Sequence, residues 1–319
     1  MTDLPRRLGA SDLKIAPLVL GGNVFGWTAE RDAGFAVLDA FVDGAGEGGA
    51  MIDTADVYSA WVPGHQGGES ETMIGEWLKA SGKRDRVLIA TKVGMLSGDG
   101  GEKLAPTRIA AACDASLRRL GTDHIDLYFA HQDDEATPQD ETLAAYAKLV
   151  EAGKVRVLGA SNFHAGRLKS ANEAARAAGL PHYQVLQPEY NLVSRAKFEG
   201  ELQDYCVENN IGVVPYFALG AGFLTGKYRS KEDFATVRGG RMGDRLDERG
   251  KAVLAAMDAV AAETGASLAQ IALAWLIAQP GVTAPIASAT SAEQVADLLP
   301  AMSLALSADQ LERLSNAGS

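Results

Sequence analysis

Cysteine is almost missing from this chain: Cys113 and Cys206 are the only two in 319 residues, and both fall in helix-like segments. Two such thiols supply no disulfide framework and no zinc-ligand spacing, so a reducing compartment and no metal site are expected. Positive charge is also short, with 30 Lys and Arg against 41 Asp and Glu and a formal net charge of −11. That balance lacks the basic footprint needed to hold nucleic acid or an anionic membrane surface. No apolar run reaches the roughly 20 residues of a membrane helix. The opening Met-Thr-Asp-Leu-Pro-Arg-Arg lacks the apolar core of a secretion signal. These absences predict a cytoplasmic protein with neither nucleic acid nor membrane as a partner; they leave the oligomeric state open. Composition shows no break, and 47% apolar residues can fill a sizeable core, so residues 1–319 read as one domain.

Short apolar runs alternate with helical patterns along the chain. Residues 6–16, around the turn cluster Gly9-Ala10-Ser11-Asp12, predict a hairpin that caps one end of the fold. Strand candidates follow at 17–22, from 50 to about 53, and at 87–92, 125–130, 155–160, 183–186, 211–215 and 282–286. Helices are expected at 32–46, 69–80, 107–120, 138–152, 165–178, 196–209, 247–263 and 267–278, with C-terminal helices at 291–299 and 307–316. Eight strands separated mostly by helices predict an α/β (β/α)₈ TIM barrel with an N-terminal β-hairpin and C-terminal helices. The rival is a doubly wound sheet, which needs a Gly-x-Gly-x-x-Gly turn opening a helix. Gly21-Gly22-Asn23-Val24-Phe25-Gly26 has glycines near that spacing, but Phe25-Gly26-Trp27 does not open a helix.

Three consecutive strand candidates end in titratable residues: Asp53, followed closely by Tyr58, then Lys92, then His131. In a parallel barrel, strand ends and the loops after them carry the chemistry. A carboxylate buried at a strand end needs a partner, and Lys92 offers one. An ammonium beside a phenol favours phenolate, so Lys92 is expected to lower the Tyr58 pKa from its usual ~10. With His131 on the other side of a substrate oxygen, the group would polarise a carbonyl and protonate the alkoxide. No side chain gives hydride, so a nicotinamide cofactor is implied. Ser161, Asn162 and Gln187 suit a carboxamide, Tyr216 suits a flat ring, and the glycines of 220–227 suit a pyrophosphate. Gly21, Gly22 and Asn23 let a ligand approach the backbone. Trp27 and Trp61 flank the strand ends and, with Phe223, suggest a partly aromatic substrate pocket. The plainer readings are an ion-pair network on a barrel rim, a core aromatic at Tyr216, and a solvated arginine group between 229 and 249.

Several stretches together resemble the aldo-keto reductase superfamily. They are Ile52-Asp53-Thr54-Ala55-Asp56-Val57-Tyr58, Ala90-Thr91-Lys92, Tyr128-Phe129-Ala130-His131, Gly159-Ala160-Ser161-Asn162, Leu186-Gln187-Pro188, Leu219–Lys227, and Pro285-Ile286 through Gln294. The resemblance covers nearly the whole chain in order. It implies reversible NAD(P)H-dependent reduction of small-molecule aldehydes and ketones to alcohols, with Tyr58 as general acid and Asp53, Lys92 and His131 as its partners. It also implies cofactor contacts at Gly22, Asn23, Ser161, Asn162, Gln187, Tyr216, Phe217, Leu219, Gly222, Leu224, Lys227, Ala287, Ser288, Thr290 and Gln294.

Four departures bear on the cofactor. Thr290 stands where many members have an arginine for the 2′-phosphate, and Asp297-Leu298 replaces a glutamate-asparagine pair. Phe217 replaces a frequent serine and Ala221 a frequent arginine. NADP(H) is favoured because Ser288, Lys227 and the arginines at 238–245 can compensate; NAD(H) stays open. Two other functions remain open too. One is an NAD-dependent dehydrogenase of a sugar, alcohol or hydroxylated ring. The other is a non-catalytic, nucleotide-binding regulatory subunit of the kind that associates with channels.

Overall fold

A computed structural model describes residues 5–47, 49–230, 233 and 245–318. The chain folds as a (β/α)₈ barrel with an N-terminal antiparallel hairpin of β1 (Arg6–Arg7) and β2 (Lys14–Ile15). The barrel strands are β3 (Val19–Gly21), β4 (Ala50–Asp53), β5 (Val87–Val93), β6 (Ile125–Ala130), β7 (Val155–Ser161), β8 (Tyr183–Gln187), β9 (Gly212–Val213) and β10 (Ile286–Ala287). Each pairs in parallel with the next from β3 to β9, and β10 pairs with β3. Closure between β9 and β10 runs through the Val213–Val282 bridge, Thr283 N to Val213 O at 2.8 Å, and Ile286 N to Pro215 O at 2.9 Å.

Around the strands lie α1 (Arg31–Gly44), α2 (Glu69–Ser81), α3 (Pro106–Leu120), α4 (Gln139–Glu151), α5 (Ala165–Ala177), α6 (Glu201–Glu208), α7 (Glu248–Thr264) and α8 (Leu268–Ile277). They are followed by α9 (Ala292–Leu298) and α10 (Ala308–Ala317). Among the described residues no single helix is long and apolar enough to cross a membrane.

The expected elements are present, with three differences, the first being that the strand expected at 211–215 is ladder-paired only at Gly212–Val213. The helix expected at 196–209 begins only at Glu201, because Gly200 takes φ 88° and ψ −134°, which only glycine adopts readily. The last strand, expected at 282–286, is ladder-paired only at Ile286–Ala287. Pro285 offers no N–H to a ladder, so the segment before it joins the barrel through single bonds.

Strand periodicity divides the core in two. Val19, Met51, Ala90, Leu127, Phe129, Val157, Val185, Val214, Ala284 and Ile286 fill the barrel interior, together with Leu8, Leu13 and Ile15 of the hairpin. The hairpin therefore closes the bottom of the barrel with apolar side chains. The intervening residues, such as Ile52, Ile89, Tyr128, Leu158 and Leu186, pack outward against the helices. Gly159 makes room for Phe129: a Cβ there would lie 2.4 Å from the Phe129 ring.

Candidate active site

Because side chains alternate along a strand, the residue two after each interior-facing one faces inward again, one layer higher. Val19, Met51, Ala90, Phe129, Val185, Val214 and Ile286 thus place Gly21, Asp53, Lys92, His131, Gln187, Tyr216 and Ser288 on the upper rim. Ser161, four beyond Val157, joins them. The interior below is apolar and packed, so these polar groups gather where the barrel opens, at the strands' C-terminal ends.

The centre of that rim is a buried cluster. Lys92 Nζ donates to Asp53 Oδ2 at 2.7 Å, to Thr54 O at 2.8 Å and to the Tyr58 hydroxyl at 2.9 Å. Tyr58 OH donates to Asp53 Oδ2 at 3.2 Å, and Gln187 Nε2 donates to Asp53 Oδ1 at 2.8 Å. Both carboxylate oxygens are therefore engaged, and the three Lys92 acceptors match its three N–H donors. The His131 ring faces Tyr58 edge-on, with centroids 6.1 Å apart.

Helix α2 pegs the strand ends in place. Ser70 Oγ lies 2.8 Å from Thr54 Oγ1 and donates to Gly22 O at 2.8 Å, while Glu71 Oε1 accepts from Thr91 Oγ1 at 2.6 Å.

Burial governs the electrostatics here. It pushes Lys92 below the usual lysine value even though Asp53 pulls the other way. His131 falls well below the ordinary histidine value through burial and the Lys92 charge, so its ring is neutral. Tyr58 moves opposite to the sequence expectation. Burial and then the Asp53 carboxylate push the phenol well above 10. The correction is physical: a phenolate in this enclosed rim loses more hydration than the ammonium returns, and Asp53 repels it. The hydroxyl is a proton holder throughout the neutral range.

The remaining rim residues form a second network. Asn162, at φ 58°, donates through Nδ2 to His131 O at 2.9 Å and to Ser161 Oγ at 3.1 Å. Its Oδ1 accepts from Tyr216 OH at 2.8 Å, and Ser161 Oγ donates to Gln187 O at 2.9 Å. Tyr216 and Phe217 rings meet edge-on at 5.1 Å. Phe217 is 47% exposed at φ 51°, with its carbonyl accepting from Asn191 Nδ2 at 2.9 Å. Asn191 had no sequence signal, since the bond follows from two loops meeting. Across the mouth, Ser288 Oγ donates to Asn23 Oδ1 at 2.5 Å, and Gln294 Oε1 accepts from Thr290 N at 2.9 Å. A Cβ on Gly22 would lie 3.0 Å from both Asp53 O and Ser70 Oγ, so the backbone there is closely packed.

The 220–227 segment is a 3₁₀ turn over Gly220–Thr225, with Ala221 and Gly222 at positive φ. Its amides at Gly220, Gly222, Leu224 and Gly226 donate to the loop's own carbonyls. Leu224 is buried, Leu219 half-buried and Lys227 exposed. Of the arginines, Arg229 is held bidentately by Asp258 at 2.8 and 2.9 Å. Arg245 lies against Gly220, with a buried Nη1 that has no hydrogen-bond partner. Arg238 and Arg241 lie outside the described residues.

Trp27 and Trp61 do come together: their rings are 5.7 Å apart at 83°, and Trp61 is 6.1 Å from Tyr58. His65 of the same loop buries its Nδ1 without a hydrogen-bond partner.

A profile of the Aldo/keto reductase family matches residues 17–318. The chain belongs to the aldo/keto reductase family. It is 32% identical over 316 residues to an uncharacterized oxidoreductase of Bacillus subtilis, covering 97% of this chain and 94% of that protein. It is 32% identical over 275 residues to an aldo-keto reductase [NADP(+)] of Schizosaccharomyces pombe, covering 83% of this chain and 77% of that protein. An aryl-alcohol dehydrogenase [NADP(+)] of Phanerodontia chrysosporium is 30% identical over 331 residues, covering 95% and 83%. This aldo/keto reductase is accordingly an oxidoreductase.

Proposed function

We propose that this aldo/keto reductase reduces small, ring-bearing aldehydes or ketones to alcohols with NADPH, with Tyr58 as general acid. The observation that carries the reading is the Lys92 ammonium held at once by Asp53 and against the Tyr58 hydroxyl, at 2.7 and 2.9 Å.

The residues present fit a nicotinamide dinucleotide. Ser161, Asn162 and Gln187 offer hydroxyl and amide partners for a carboxamide, and Tyr216 offers a flat ring. The unpartnered Nη1 of Arg245 beside Gly220 suits an anionic diphosphate. Gly22, Asn23, Phe217, Leu219, Gly222, Leu224, Lys227, Ala287, Ser288, Thr290 and Gln294 would complete the contact. When bound, the nicotinamide supplies hydride. The protein's own share is the proton. Tyr58 presents a protonated hydroxyl at the mouth, Lys92 stabilises the phenolate left behind, and Asp53 keeps Lys92 charged and oriented. Neutral His131 offers a hydrogen bond to the carbonyl oxygen without competing for that proton.

NADP(H) is preferred over NAD(H) because two of the relatives carry NADP(+) in their names. Aromatic substrates fit the Trp27–Trp61 wall beside Tyr58. The aryl-alcohol relative favours the reverse reaction as a second direction of the same chemistry. Two free, buried cysteines suit a reducing, cytoplasmic setting.

The test is titration of tryptophan fluorescence with NADPH and NADH, followed by turnover of aromatic and aliphatic aldehydes. Tighter NADPH binding with faster aromatic turnover is expected. Binding of neither nucleotide would sink the reading, and tighter NADH would shift it to an NAD-dependent dehydrogenase.

A further inference from the structure

Asp56 lies between the two groups whose spacing the proton transfer needs. β4 ends at Asp53, yet the chain stays registered on β5, with Thr54 N donating to Ala90 O at 2.8 Å and Asp56 N to Lys92 O at 3.3 Å. Beyond Asp56 the register is lost, and Tyr58 N closes a turn onto Ala55 O at 3.1 Å. Asp56 is thus the last residue tied to the Lys92 strand before the turn that carries the phenol.

Its side chain points into the protein. Asp56 and Arg108 of α3 have side chains only 1% and 7% exposed, with Arg108 Nη2 3.1 Å from Asp56 Oδ2. The same guanidinium donates through Nε to Leu96 O at 3.1 Å and through Nη1 to Asp99 O at 3.3 Å. One cation therefore gathers the turn after β4 and the loop after β5. From the other side Gly67, at φ 95°, packs so close that a Cβ there would lie 2.7 Å from Asp56 O.

Two features separate this pair from one kept for stability. Asp56 Oδ1 is buried with no hydrogen-bond partner, which costs free energy that a better-satisfied or apolar pair would not. The carboxylate also sits in mixed company: Glu71 of α2, Arg108 and Arg119 of α3, Lys92 of β5, Tyr128 of β6 and Tyr146 of α4 all feel its charge. Burial and Glu71 outweigh the two arginines and push its pKa up to about 7. A local rule broken beside a reacting group is where function is to be sought.

We propose that Asp56 and Arg108 are a positioning pair that, with Asp56 ionised, sets the Tyr58 hydroxyl against the Lys92 ammonium. The pair rests on the reductase reading above. Ionised, Asp56 holds Arg108 by a charge-assisted bond and adds negative potential at Lys92. Protonated, it keeps only a neutral bond to Arg108 and no longer adds negative potential at Lys92.

The experiment is aldehyde reduction at saturating NADPH by the wild type, Asp56→Asn and Arg108→Lys, from about pH 5 to about pH 9. Thermal melting and fluorescence titration of the cofactor run beside it. The wild type should lose kcat on the acid side with a midpoint near the Asp56 value. Asp56→Asn should lose kcat about tenfold at alkaline pH and lose the acid limb, while aldehyde KM and cofactor Kd hold. Arg108→Lys should keep part of the rate with the limb moved upward. An Asn variant with wild-type kcat and an unmoved limb would overturn the pair, as would equal losses in kcat, cofactor affinity and melting temperature. Should Asp56→Asn not fold, an unmoved limb in Arg108→Lys overturns it. A wild type without aldehyde turnover fails the reductase reading and the pair together; turnover with unaffected variants fails the pair alone.

Discussion

Two buried aspartates at opposite ends of the barrel face arginines in different ways. Asp126, near the bottom of β6, accepts from Arg84 Nη2 at 2.9 Å, Arg156 Nη1 at 2.7 Å and Ile89 N at 2.9 Å. Its oxygens are fully engaged, and the two arginines reach solvent. Asp56, at the top, has one arginine on one oxygen and leaves the other bare. Complete satisfaction at the bottom of the barrel is what a stabilising ion pair requires. Incomplete satisfaction beside Lys92 and Tyr58 is tolerated where geometry matters more than stability. The comparison predicts that charge removed from the top costs rate, and charge removed from the bottom costs folding.

The largest effect expected is at the top. Tyr58→Phe removes only an oxygen, so melting should stay within a few degrees, while aldehyde reduction falls by about 10²–10⁴-fold. Full turnover with an active aldehyde would assign the proton to another group. Because burial holds the Tyr58 pKa well above 10, reduction should not fade as pH rises through the neutral range. On the proposed mechanism alcohol oxidation uses the phenolate, and it should quicken toward alkaline pH.

At the bottom, Asp126→Ala takes the buried carboxylate from Arg84, which keeps Thr122, Val87 and His124, and from Arg156, which keeps Asp12. A fully buried broken pair costs about 3–5 kcal/mol, and the solvent access of both arginines reduces this to about 2–3 kcal/mol. Denaturant unfolding measures it. The turnover of the folded fraction should be that of the wild type; a rate loss without a stability loss would erase the distinction between the two ends.

What the sequence shows of this site follows from distance along the chain. Asp53, Lys92 and His131 were legible because each lies two residues beyond an apolar interior position, and period-two alternation is local. The Gln187–Asp53 bond spans 134 residues and the Arg108–Asp56 pair spans 52, so neither leaves a local mark. Asp56 stood in a recognised stretch without standing out from it. The raised Tyr58 pKa is not legible in the sequence because desolvation depends on what covers the site. A neighbouring lysine is visible in sequence, whereas the cover is not. The shortened last strand shows a smaller failure of the same kind, since an apolar run around Pro285 reads as strand while its missing N–H decides the pairing.

The pH dependence of stability sharpens the comparison further. In the unfolded chain Asp56 titrates near the ordinary carboxylate value of 3.8, and in the folded protein at about 7. Between those values the folded state binds a proton that the unfolded state lacks, so this group raises stability as pH falls from 7 toward 4. Above pH 7 its ionisation is a net cost. Asp56→Asn should flatten that slope, read as the pH dependence of unfolding free energy. An unchanged slope would mean that Asp56 is ionised through the range and better satisfied than its bare Oδ1 indicates.

The smallest effect expected lies at the rim of the mouth. Trp61 is 40% exposed, yet its ring meets both Trp27 and Tyr58 edge-on. An exposed indole adds little to folding, so Trp61→Ala should barely move the melting temperature. If its face lines the substrate path, the variant should lose about 1 kcal/mol of binding, roughly fivefold in KM, for aromatic aldehydes. Short aliphatic aldehydes, with no ring to meet it, should be nearly indifferent. Equal losses for both classes would place Trp61 in the support of Tyr58 instead, because a displaced phenol slows every substrate alike.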